Sequence, residues 1–208
     1  MLPPESLARR LAAFAAVYPG PVSEAQVERI ECPPLRRLRF YVVCTQECEA
    51  VWRLVLVKGL RPTLLANLGR TPPEQLSITR HRINAAIGRE ALRLDAADAQ
   101  EMVACYLRLE GLHPELVLTE AELAPVSEAR AEGEDAMRRM TESLDDPLAA
   151  RRIHVEASPE GYLSDLLYWD TWRTGAPVLR MRIGLAPSGQ LRLFQVTQPA
   201  ERGPGEGP

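Results

Sequence analysis

The stretch LRMRIGLAPSGQLRLFQV, residues 179–196, decides the reading of this chain. Leu179, Met181, Ile183 and Leu185 alternate with Arg180 and Arg182, the period-two pattern of a strand with one buried face. Ala186-Pro187-Ser188-Gly189 supplies turn residues, and Leu191 to Val196 returns. Phe194 and Val196 fall out of phase with Leu191 and Leu193, which predicts a bulge in the returning strand.

A second hairpin is read from Leu35 to Lys58. Leu38, Phe40 and Val42 alternate with Arg37, Arg39 and Tyr41, then Trp52, Leu54 and Leu56 with Val51, Arg53, Val55 and Val57, across the polar connection Cys44–Glu49. Because hairpins lie near both ends of the chain, the expected fold is α+β. One antiparallel sheet is built from the two β-hairpins, at about 35–58 and 178–197, with helices packed on it. That arrangement makes 1–198 a single domain, and the Gly/Pro-rich stretch 199–208 a disordered tail.

Helical spacing fills the remainder. Leu7, Leu11, Phe14 and Tyr18 form one stripe, stopped by Pro19-Gly20-Pro21. Ser23 and Gln26 form a capping box for a short helix that turns Val27 and Ile30 inward. Thr71-Pro72-Pro73-Glu74 opens a helix carrying Leu76, Ile83 and Ile87. Asp95 opens another, with a stripe of Met102, Val103, Tyr106 and Leu109. Ser127 to Leu144 reads as one charged helix anchored by Met137, Met140 and Leu144, and Leu116–Leu118 and Ile153–Glu156 as short strands. Ser158-Pro159 opens a helix bearing Tyr162, Leu163, Leu166, Leu167 and Trp169.

The chain has 208 residues, 46% hydrophobic and 25% charged, with net charge −3, an ordinary globular balance. No apolar run approaches the ~20 residues that span a bilayer, so no membrane role is expected. Four cysteines fall short of a disulfide scaffold, and the apolar stretch after Arg9-Arg10 is too short for a secretory signal, which makes the cytoplasm the expected location. Cys44 and Cys48 are either a redox pair across the hairpin connection or two ordinary small side chains. No ligand set for a metal and no phosphate loop is present, so neither metal nor cofactor is expected.

Charge is segregated. Arg36 to Arg93 holds 11 basic and 4 acidic residues, +7; Asp95 to Asp146 holds 4 basic and 14 acidic, −10. Such blocks meet each other inside the fold or face a partner. On one shared sheet, Arg37, Arg39, Arg53, Arg180, Arg182 and Arg192 form a single cationic surface. The expected function is therefore non-catalytic binding or assembly, docking a protein partner or a second copy as a homodimer. Tyr168 and Trp172 are the expected anchors, and Arg180, Arg182 and Arg192 the charged contacts.

Two alternatives stand beside it. Segment 64–89 can be drawn as a helix-turn-helix that presents Arg80, Arg82, Asn84 and Arg89 to nucleic acid. A lyase- or isomerase-type enzyme could instead assemble its site from scattered polar groups.

Overall fold

The computed structural model describes residues 25–45, 51–58, 61–68, 73–144, 152–171 and 178–197. The helix expected around Pro4–Tyr18 and the tail 199–208 lie outside them, as do Cys48 and Trp172. The described residues are α+β, with helices and two antiparallel sheets.

The chain divides into two compact units, Met1–Leu112 with Pro187–Gln190, and His113–Ala186 with Leu191–Pro208. Both hairpins form, but in different sheets and different units, so the single shared sheet is corrected. The sheet of the first hairpin is completed by strands that the sequence reading gave to helices, and that of the last hairpin by one such strand together with short strands at 117–118 and 156–158, on or beside those expected at 116–118 and 153–156.

In the first unit the sheet is a meander of β1 (Ala25–Ile30), β2 (Leu38–Thr45), β3 (Val51–Lys58) and β4 (Arg61–Leu68). β1 replaces the short helix expected after Ser23. Six residues are too few to sustain a helix alone, whereas pairing with β2 sets buried Ile30 opposite buried Phe40. β4 replaces the first helix of the expected helix-turn-helix. Its register on β3 shifts between Leu54 and Val55, which are opposite Ala66 and Leu64, so Leu65 is the extra residue. The Leu65 carbonyl accepts a hydrogen bond from the buried Thr79 hydroxyl at 3.2 Å.

Thr79 lies on α1 (Pro73–Gly88), which packs against β4 with Ile83 and Ile87 buried. In α2 (Ala96–Leu109), Asp95 caps the start by accepting from the Asp98 N–H at 2.8 Å. Its expected stripe is buried, and so are Ala104, Cys105 and Leu107, so the helix is enclosed on more sides than an amphipathic pattern implies. Cys105 forms a disulfide with Cys32, which lies between β1 and β2, and the two Cα atoms are 5.0 Å apart.

In the second unit β7 (Gly161–Trp169) is central. β5 (Val117–Leu118) and β6 (Glu156–Ser158) pair with it, and β8 (Val178–Leu185) and β9 (Leu191–Thr197) follow in order. β7 is the expected aromatic helix in strand form. Pro159 and Glu160 make a tight turn, because Ser158 pairs with Gly161. Gly161 has φ 137°, and a Cβ there would run into the Leu185 carbonyl oxygen. The expected bulge is present: Leu185 faces Leu191 and Gly184 faces Leu193, leaving Arg192 as the extra residue.

The single charged helix expected over Ser127–Leu144 is two, α3 (Leu123–Glu132) and α4 (Glu134–Leu144), broken at Gly133 with φ 107°. Leu118, Val126, Leu144 and Trp169 form a cluster with Met137, Met140, Leu167 and Val178 packed against it. Arg152 donates to the Leu144 and Glu115 carbonyls at 3.1 Å each, satisfying one of the end carbonyls of α4.

The disulfide closes a loop with a sequence separation of 73. Loop-closure entropy for that span is about 4 kcal/mol at room temperature. Replacing Cys32 and Cys105 together by alanine is expected to lower the urea-unfolding free energy of the first unit by roughly that amount. Wild type under strong reductant should lose the same increment.

Candidate functional site

The site is a groove of about 480 Å³ on one face of the five-stranded sheet. Strand alternation builds it in two rows. In one row Asp165 of β7 faces Arg182 of β8, which faces Gln195 of β9. In the next, Leu167 faces Arg180, which faces Thr197. All six residues line the groove, with Glu120 at its rim. One further row along, Trp169 and Val178 are occupied by the α3–α4 cluster, so that end of the face is closed. On the opposite face Leu166, Tyr168, Leu179, Met181 and Ile183 are buried.

The two arginines differ in partnership. Arg182 holds Asp165 through a fork, Nε to Oδ1 and Nη2 to Oδ2, both at 2.9 Å. Those hydrogen bonds hold the Asp165 carboxyl below the usual carboxylate range, against a smaller opposing effect of burial; the charges of Arg182 and Arg180 add to the depression. Asp165 in turn raises the Arg182 pKa. Arg180 is exposed, and its guanidinium has no hydrogen bond or ion pair among the described residues. The Thr197 hydroxyl beside it donates instead to the Arg180 backbone carbonyl at 3.3 Å. Glu120 is likewise exposed and unpaired among the described residues. The groove thus offers fixed charge and hydrogen bonding: a matched pair, one open cation and one open anion.

Two of the expected partner contacts, Arg180 and Arg182, meet here. Arg192 does not line the groove; as the bulge residue it sits 3.7 Å from Glu160. Tyr168 is fully buried, which corrects its expected role as a surface anchor. Its hydroxyl accepts from the His113 N–H at 3.2 Å. Because strand alternation turns Tyr168 to the same face as Leu166, it packs into the core. The six-arginine surface is also corrected: Arg39 and Arg53 lie on one sheet, Arg180, Arg182 and Arg192 on the other, and Arg37 precedes β2.

The expected nucleic-acid residues do not form a free recognition face. With β4 in place of the first helix there is no helix-turn-helix at 64–89. Arg80 forks onto Glu110 at 2.6 and 2.8 Å, and that carboxylate raises its pKa. Asn84 accepts from the Tyr106 hydroxyl at 2.9 Å. Only Arg82 and Arg89 of the four are exposed.

Sequence reasoning missed Asp165, Leu167, Gln195, Thr197 and Glu120. The first two were hidden by reading β7 as a helix. The signal that could have found them is the Ser158-Pro159-Glu160-Gly161 turn ahead of an aromatic-rich segment.

Among the described residues no cluster of three or more His, Cys, Asp or Glu side chains is placed to hold a metal, and no helix is long and apolar enough to cross a membrane. Comparison with known protein families, with curated proteins and with solved structures finds no match to this chain.

Burial pushes the Tyr168 hydroxyl up to about 12, and the His113 hydrogen bond opposes this only in part. The unfolded value is about 10. A raised folded pKa gives stability that is whole below pH 10 and is lost as pH rises toward 12. Tyr168→Phe is expected to flatten that alkaline limb, by about 1.4 kcal/mol per pH unit, in urea unfolding between pH 9.5 and 11.5.

Proposed function

We propose that this protein is a binding module whose sheet groove takes up an extended polypeptide segment bearing a carboxylate, presented by a protein partner. The observation that carries this reading is Arg180, exposed in the groove without an ion-pair partner among the described residues, while Arg182 two residues on is matched by Asp165. An open guanidinium fork suits a carboxylate in bidentate geometry. Glu120 on the rim narrows the choice: it opposes an all-acidic ligand and favours a cation or N–H donor beside that carboxylate. Leu167 in the groove and Leu193 beside it, 37% exposed, add apolar contact.

The Cys32–Cys105 disulfide supports an oxidising compartment over the cytoplasm, because such bonds persist where thiols are not kept reduced. A secreted or envelope-side partner accords with that setting.

A phage-displayed library of random eight-residue peptides, panned on the full chain, tests the reading. Enriched peptides should carry Asp or Glu. Arg180→Ala should weaken them by about fivefold, equivalent to about 1 kcal/mol, while Arg192→Ala leaves them within about twofold. Enrichment indifferent to Arg180→Ala would sink the proposal.

A further inference from the structure

We infer that the segment taken up by the groove is amphoteric: it carries a lysine or arginine two positions from its Asp or Glu, with the acid over Arg180 and the base over Glu120. This rests on the groove reading and names the charge pattern that the groove selects.

The sheet sets the two open charges a fixed step apart. Leu118 of β5 faces Leu167 of β7, which faces Arg180 of β8. Two strand spacings separate β5 from β8, about 10 Å. Glu120 follows Leu118 by two residues and lines the groove with Leu167 and Arg180. The open carboxylate therefore stands on the β5 side and the open guanidinium on the β8 side, with Leu167 between them.

Local contacts pin Glu120 in that place. It opens a single 3₁₀ turn, Glu120–Glu122, capped by Thr119. The Thr119 N–H and hydroxyl donate to the Glu122 carboxylate at 2.7 and 2.9 Å. Glu122 also lies 3.5 Å from Arg152. One carboxylate of the turn is thus engaged by the fold, while Glu120 is exposed and unpaired among the described residues. The division matches that of Arg182 and Arg180: of each sign, one group is fixed and one is open.

Chain geometry converts those charges into a pattern. An extended segment turns every second side chain to the same face, about 6.8 Å apart. A lysine or arginine adds reach beyond that spacing, and its methylene stem covers Leu167 on the way to Glu120. Neighbouring residues point to opposite faces, so they do not meet both charges. Residues four apart, about 13.6 Å, overshoot the step. A segment with two acids sets like charge against Glu120, and the opposite placement of an acid and a base sets like charges together at both ends. Charge therefore selects the pair and also orients it across the strands.

The test is a double-mutant cycle on peptides enriched from the library, combining Glu120→Gln in the full chain with norleucine in place of the peptide's base. Enriched peptides should hold acid and base two positions apart. Each single change should weaken binding by about threefold, and the two together no more than either alone. Effects that simply multiply, with dependence on Arg180 retained, overturn the amphoteric pattern and leave the groove reading standing. No enrichment, or peptides that need neither Arg180 nor Glu120, overturns both. Doubled mass of the chain alone by light scattering, abolished by Arg180→Glu, overturns the inference in favour of a second copy as the occupant.

Discussion

The register of β7 on β8 is the constraint on which the second unit depends. It sets Ser164 against Ile183, Leu166 against Met181 and Tyr168 against Leu179 on the buried face. A slip of one residue would send Arg180 and Arg182 into that face, and burying unpaired charge costs several kcal/mol each. Apolar packing on one side therefore fixes charge geometry on the other. Ser164, the polar member of the buried rows, is accommodated because its hydroxyl donates to the His154 carbonyl at 2.6 Å.

The same register gives two identical side chains opposite fates. Arg182 faces a carboxylate and becomes part of a fixed wall; Arg180 faces Leu167 and keeps its fork open. Arg180 is not alone in lacking a side-chain partner among the described residues, since exposed Arg82, Arg89, Arg93, Arg130 and Arg139 lack one too; what sets it apart is its place in the groove beside a matched arginine. Arg80 is matched by Glu110, Arg152 caps α4 and reaches Glu122 at 3.5 Å, and no buried side-chain nitrogen or oxygen among the described residues lacks a partner.

How much of this was legible follows from which interactions are local. The last hairpin, its bulge, the Asp95 cap and the stripe of α2 are written in neighbouring residues, and the structure carries them. β1, β4 and β7 were misread because their apolar spacing satisfies the helical period as well as the strand period, and only pairing with a distant strand separates the two. For β7 the spacing Tyr162, Leu166, Trp169 fits one helix face, yet backbone pairing puts Trp169 on the face opposite Tyr162 and Leu166. The Cys32–Cys105 bond is nonlocal in the same sense: nothing in the spacing marks the two as partners. Of the site, Arg180 and Arg182 were legible from alternation. Their different partners were not, because Asp165 and Leu167 enter only through the pairing of β7.

In the proposed reading the groove divides the work of recognition on energetic grounds. An exposed ion pair contributes about 0–1 kcal/mol, so Arg180 by itself does not hold a partner. Apolar contact with Leu167 and Leu193 would supply affinity and the guanidinium would supply selectivity. Asp165 occupies Arg182 through two hydrogen bonds of 2.9 Å, which removes the neighbouring cation from competition, so that a carboxylate in the groove meets a single open charge in the row of Leu167 and Thr197.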